Sequence, residues 1–224
     1  VPPTREEATA HPAPAPSTLR AEARAFWRYP GPRLIGAFFV AALAVRLALG
    51  GWGWPDAVAA GVVLGAEPFT EWVVHVFVLH ARPFRLFGRR VDLYLARKHR
   101  AHHADPRDPA LVFVPLPVLV RLLPATALVC WLAAPRLPVA VTAMATAYAM
   151  LLTYEWTHHL IHSRYLPRSR YYRYIWRAHR LHHFRNERYW FGVTVHLADH
   201  LLGTFPAKEA VPLSATCRSL GVRA

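Results

Sequence analysis

Eleven of the chain's fourteen histidines lie between residues 75 and 183, and ten of those fall into four spaced clusters. The clusters are His75 and His80; His99, His102 and His103; His158 and His162; and His179, His182 and His183. Two of them share the form H-x-x-H-H. Residues three and four apart lie on one face of a helix, so His99, His102 and His103 are expected to converge on one point. The same holds for His179, His182 and His183, and for His158 with His162. Neutral imidazole is the commonest metal ligand, and this many converging rings suit two ions better than one. A lone H-x-x-H-H is as easily a set of scattered core or surface residues. Two copies, each preceded by a spaced pair at a hydrophobic helix end, point to bound metal. His159 stands about 100° round the helix from His158 and reads as a neighbour of the site.

Residue type alone leaves the metal open among Fe, Zn, Cu and Ni. Structural zinc sites close with four ligands, often cysteines, but Cys130 and Cys217 follow no ligand or redox spacing. Histidines in this number fit a two-metal centre. Two irons could activate O2, and two zincs could activate water for hydrolysis. A non-catalytic metal store or a transporter is the third alternative. A transporter would set ionisable groups at mid-membrane in several helices, and only Glu67 and Glu71 come near that depth here.

The elements that must position these residues are apolar. The 224-residue chain is long enough for one domain, is 54% hydrophobic and carries a formal net charge of +14. A membrane protein with basic segments on its cytoplasmic side accounts for both figures. Nucleic-acid binding is excluded, because nothing in so apolar a chain supplies a groove-reading module. No signal peptide is visible, since about thirty polar and proline-rich residues precede the first apolar run. Residues 1–30 are expected to form a flexible tail, with a short interfacial helix around 19–29 stopped by Pro30 and Pro32. Residues 31–224 are expected to form the membrane-embedded domain.

Four spans are expected: 34–54, about 55–80, 111–134 and 137–156. Arg46 is expected to snorkel to the interface beside Trp52 and Trp54, and Pro68 to kink the second span. Residues 81–110 are polar and basic and lie outside lipid. The fold class is therefore all-α, with a helical cap at the cytoplasmic face holding the histidine-rich dimetal site. All four clusters then lie on the side that carries nearly all the Arg and Lys.

In combination, these motifs resemble the fatty acid hydroxylase and sterol desaturase superfamily, most nearly its fatty acid 2-hydroxylases. Glu71-Trp72-x-x-His75 with His80 resembles the first family motif, and His99-x-x-His102-His103 followed by Pro106, Asp108 and Pro115 the second. Tyr154-Glu155-x-x-His158-x-x-x-His162 before Leu166-Pro167 resembles the third. His179-x-x-His182-His183, then Phe191-Gly192-Val193-Thr194, Asp199 and Gly203-Thr204, resembles the fourth. The resemblance implies an O2-dependent non-haem di-iron centre with all ten histidines as ligands. Its reaction would be hydroxylation of a membrane-lipid acyl chain, at the 2-position. Desaturation or hydroxylation of a sterol, carotenoid or other isoprenoid by the same type of site is the alternative.

Zinc can replace iron in purified protein. Glu71 is expected to accept the second ring N–H of His75, and Asp199 to do the same for another ligand. His196 and His200 depart from the family pattern and are expected to stand behind the ligands. With only about thirty residues before the first span, no fused cytochrome b5 domain is expected. A separate donor, a ferredoxin or a cytochrome b5-like protein, is expected to be drawn to the basic face.

Overall fold

The computed structural model describes residues 16–222. The described residues are mostly helical: α1 Leu19–Phe26, α2 Pro30–Leu49, α3 Trp54–Val73, α4 Tyr94–Ala104, α5 Pro109–Val112, α6 Leu116–Ala133, α7 Leu137–His162, α8 Arg170–Phe184 and α9 Leu197–Leu201. The strands described are a short hairpin, β1 Phe84–Leu86 with β2 Arg89–Val91, paired antiparallel. Proline and glycine set many of the boundaries. Pro30, Pro55, Pro117 and Pro138 sit in first turns, where the missing N–H has no helical partner to lose. Pro30 and Pro32 thus start α2, whereas α1 has already ended at Phe26. The first part of the amino-terminal tail, residues 1–15, lies outside the described residues.

Four helical stretches, Pro30–Leu49, Trp54–Leu79, Pro109–Ala133 and Leu137–His162, are long and apolar enough to cross a membrane. Their outward faces are apolar: Val40, Leu47, Val62, Val129 and Leu132 are all more than half exposed. Such a surface is suited to lipid and not to water. α7 is the central helix. Against it α2 and α6 bury a core of Ile35, Leu119, Leu123, Val141 and Tyr148. α1 packs on the same helix, with Phe26 edge-on to Trp156 at 5.1 Å.

At the end of the bundle away from the histidines, Arg46 is buried and does not snorkel. Its guanidinium bonds Asp56 Oδ1 at 2.9 Å, Thr142 Oγ1 at 2.8 Å and the Gly50 carbonyl at 2.7 Å. The Trp52 ring covers it, 3.6 Å away. Asp56 in the next helix satisfies the charge within the protein, which removes the reason to reach for headgroups. Pro68 lies inside an unbroken stretch of α3. The departure from α geometry comes one turn later, in a π-helical segment at Val74–Leu79.

Candidate metal centre

The π segment explains how the first histidine pair functions as a pair. Residues five apart on an α-helix point about 140° apart. The wider turn, closed by His80 N–H donating to the His75 carbonyl at 3.0 Å, brings His75 and His80 to one side. α4 adds His99, His102 and His103; the end of α7 adds His158 and His162; α8 adds His179, His182 and His183. All ten come together, in two groups of five.

One group is His75, His80, His99, His103 and His182, and the other is His102, His158, His162, His179 and His183. Within each, one nitrogen per ring lies within 4.8 Å of all the others. Each H-x-x-H-H motif is therefore divided between the groups and does not converge on one point. His99 and His103, a full turn apart, share a group while His102 faces the other. His179 and His183 likewise share one, and His182 crosses over. Adjacent helical residues point about 100° apart, so a helix lying between two centres serves both. The rings of His103 and His183, one from each group, stack at 4.1 Å between centroids.

Hydrogen bonds to backbone carbonyls fix the state of four of the rings. His75 Nδ1 lies 2.6 Å from the Phe191 carbonyl, His103 Nδ1 2.8 Å from that of Cys217, His182 Nδ1 2.8 Å from that of Tyr189 and His158 Nδ1 2.9 Å from that of Val112. A carbonyl only accepts, so each Nδ1 carries the proton and each Nε2 presents a lone pair. The Nε2 atoms of each group crowd together. His99 Nε2 sits 3.1 Å from His75 Nε2 and 3.2 Å from His80 and His103 Nε2. In the other group His179 Nε2 is 3.1 Å from His162 and His183 Nε2. His158 Nε2 is buried with no hydrogen-bond partner.

Converging lone pairs repel unless a cation lies between them. With metal–nitrogen bonds of about 2.0–2.1 Å, neighbouring ligand nitrogens stand about 2.9–3.4 Å apart, which brackets the spacing found. The residues fit two metal ions. Burial, first of all, holds His103 and His182 down to about 3, and His80, His99, His102, His179 and His183 well below the ordinary histidine value. Neutral rings are the form that ligates metal.

The carboxylates near the site act one step further out than expected. Glu71 does not reach His75. It accepts the N–H groups of Val193 and Thr194 and the Thr194 hydroxyl, the last at 2.7 Å. Asp199 accepts the N–H of Phe191 at 3.0 Å, that of Gly192 at 2.7 Å, the Thr204 hydroxyl at 2.6 Å and His196 Nδ1 at 2.9 Å. Burial alone would raise the Asp199 carboxyl, but these bonds outweigh it and hold the group below the usual carboxylate range. Glu71 and Asp199 thus grip the 191–194 loop, and that loop's Phe191 carbonyl orients His75.

Glu155, which sequence reasoning left without a role, works in the same way. It accepts the Val114 N–H at 3.0 Å, two residues from the Val112 carbonyl that holds His158. Glu187 accepts the Thr216 hydroxyl at 2.6 Å in the segment whose Cys217 carbonyl holds His103. Backbone carbonyls leave no mark in a sequence, so these supports were missed.

His196 meets Asp199 and none of the ten rings' nitrogens, and His200 bonds Tyr174 Oη at 2.7 Å. Only His196 therefore stands behind a ligand, and at two removes. His159 lies outside both groups, stacked on Phe113 at 5.5 Å and 2.9 Å from Glu22 Oε2.

A model of the family described as fatty acid hydroxylase matches residues 60–204, more than half of the chain and a stretch containing all ten histidines. The chain belongs to the fatty acid hydroxylase family. Among relatives, this family member is 29% identical over 142 residues to a dihydroceramide fatty acyl 2-hydroxylase of Arabidopsis thaliana, covering 62% of this chain and 57% of the other. It is 31% identical over 174 residues to a fatty acid 2-hydroxylase of Rattus norvegicus, covering 70% of this chain and 43% of the other. The chain thus spans about half the length of these relatives. Its fold is that of full-length Scs7p, in which only the hydroxylase domain is visible. The TM-score is 0.68 at 23% identity, over 84% of this chain and 69% of that one.

Proposed function

We propose that this chain hydroxylates a membrane-lipid acyl chain at the 2-position, with two iron ions held by the two histidine groups. The observation that carries this reading is the pair of five-histidine groups, each bringing one nitrogen per ring to a common point, with the Nδ1 atoms of His75, His103, His158 and His182 tied to backbone carbonyls. When bound there, iron supplies the activation of O2, with the balance R–H + O2 + two electrons + two protons giving R–OH + H2O. The chain's own contribution is to keep the ten rings in place, and to keep the Nδ1 protons of His75, His158 and His103 on carbonyls of segments held by Glu71 and Asp199, by Glu155 and by Glu187. Purified protein is expected to hold zinc in part, because divalent affinity often favours zinc over Fe(II).

The position of attack follows from depth. The histidines project from the ends of the spans, which we assign to the cytoplasmic side by the excess of Arg and Lys there. A lipid with its headgroup at that boundary brings carbons near its carbonyl to the metals without leaving the bilayer. Bringing deeper carbons out would expose about 0.8 kcal/mol per CH2 group, or ~5 kcal/mol for six. The acyl 2-hydroxylase names of the relatives favour an acyl chain over a sterol or carotenoid, and over desaturation. Electrons are assigned to an acidic carrier, a ferredoxin or cytochrome b5-like protein, attracted by the basic face. The test is lipid analysis of a host expressing the chain. A new hydroxyl on the carbon next to the carbonyl supports the reading; a mid-chain hydroxyl, a double bond or a modified ring refutes it.

A further inference from the structure

Outside the metal centre, the clearest unassigned feature is a cleft of about 410 Å³ on the outer face of α8. Arg170, Arg173 and Arg177 line one side and Lys208 the other, over Trp190 and Phe205. Spacings of three and seven put the three arginines on one exposed stripe of α8, about 120–180° round the helix from His179. Among the described residues, none of the four cations is paired with a carboxylate.

The floor is rigid. Trp190 is 1% exposed and held at a φ of +57°, a conformation costly for so large a residue. Its backbone N–H donates to the Thr204 carbonyl at 2.9 Å and its indole N–H to that of Pro206 at 3.3 Å. Phe205 packs on His200, 4.3 Å between centroids, and so ties the cleft to α9.

α9 connects the cleft to lipid. It packs on α3 and leaves Leu197 47%, Leu201 65% and, just beyond its end, Leu202 48% exposed. The neighbouring segment is bonded to the second span, with Trp72 Nε1 donating to Thr204 Oγ1 at 2.9 Å. Apolar side chains thus stand beside the cationic cleft at the height of a membrane-spanning helix.

We propose that this cleft binds the phosphate headgroup of an anionic phospholipid, whose acyl chains lie along Leu197, Leu201 and Leu202. Guanidinium groups match phosphate oxygens in pairs, and unpaired arginines beside an exposed apolar helix meet both halves of such a lipid. The volume suits a headgroup. A docked acidic protein would need a broad, flatter surface and gives no reason for the exposed leucines. The site is independent of the hydroxylase reading, and its failure would leave that reading untouched.

The test reconstitutes the full chain in nanodiscs of equal phosphatidylglycerol and phosphatidylcholine, then measures by mass spectrometry the lipid retained after detergent extraction. Wild type is expected to retain phosphatidylglycerol over phosphatidylcholine by about tenfold or more, and R170Q/R173Q/R177Q to lose most of that preference. The metal content of this variant should stay unchanged, because its substitutions lie on the exposed side of α8 whereas His179, His182 and His183 are buried. Should it fail to fold, Lys208→Gln alone is expected to lower the preference about two- to threefold. Equal retention of the two lipids would overturn the proposal, as would a full preference in the variants. Displacement of the lipid by millimolar inorganic phosphate would overturn it in favour of a soluble anion. A cleft whose variants lose binding of an acidic carrier protein but keep phosphatidylglycerol would overturn it in favour of a protein site.

Discussion

Replacing Asp199 by asparagine swaps one of two buried acceptors for a donor. Oδ1 takes the Phe191 N–H and the Thr204 hydroxyl, while Oδ2 takes the Gly192 N–H and His196 Nδ1. Threonine can rotate its hydroxyl and His196 can change tautomer, so two of the four contacts are repairable. The backbone cannot adapt. Whichever way the amide is turned, one N–H of Phe191 or Gly192 faces an NH2 group, at a cost of about 1–3 kcal/mol for an unpaired buried donor. The loop can relieve this only by moving. The space is closed on the other side, since a Cβ on Gly192 would lie 2.5 Å from the Val195 carbonyl oxygen and 2.8 Å from His196 Nδ1. Movement shifts the Phe191 carbonyl off His75, and the group of five that contains His75 should lose about 10- to 100-fold in metal affinity. Metal quantification after dialysis against a weak chelator reads this directly. Asp199→Asn is expected to fall from about two ions per chain towards one while staying in the membrane. Unchanged metal content would show that Asp199 does not act through the loop.

Four further outcomes are expected. Glu155→Leu leaves the Val114 N–H unpaired, at about 1–3 kcal/mol, and should deplete the group containing His158, whereas Glu155→Gln keeps an acceptor and most of the metal; equal loss in both would refute this. His102→Ala and His103→Ala should each abolish activity but deplete different groups, so spectroscopy of the remaining iron should differ between them; identical spectra would contradict the division. Arg46→Met should lower the melting temperature by stranding Asp56, with metal content intact, and adding Asp56→Asn should recover part of the loss; no recovery would mean the pair is not coupled. Metal-free protein should lose stability as pH falls below 6.5. The unfolded chain takes up protons there that His103 and His182, held near 3 by burial, refuse in the folded state. Melting temperatures level between pH 7 and 5 would refute this.

Much of the architecture could be read from composition. Long apolar runs bounded by proline and charge gave four spans, and the ten clustered histidines are the ten that meet. Spacing alone did not divide them. H-x-x-H-H satisfies one helical face, and only the position of α4 and α8 between two centres makes His102 and His182 turn away from their neighbours. Nor could the H-x4-H pair be read as a pair on α-helical geometry, because its π turn depends on tertiary context. Arg46 looked like a snorkelling residue because its partner Asp56 lies in another helix. The roles of Glu71 and Asp199 were misjudged for a related reason. The acceptors nearest the rings are main-chain carbonyls, whose placement depends on the folded loop. The segment carrying Cys217 shows this most plainly, since any residue there can supply the carbonyl that holds His103.

The most direct test is to reconstitute the full chain with iron under anaerobic conditions, then combine metal quantification with X-ray absorption at the iron edge. Two irons per chain, each in a shell dominated by imidazole nitrogen, is the expected result. A single iron per chain, or a shell dominated by oxygen or sulfur, would contradict the two-centre account.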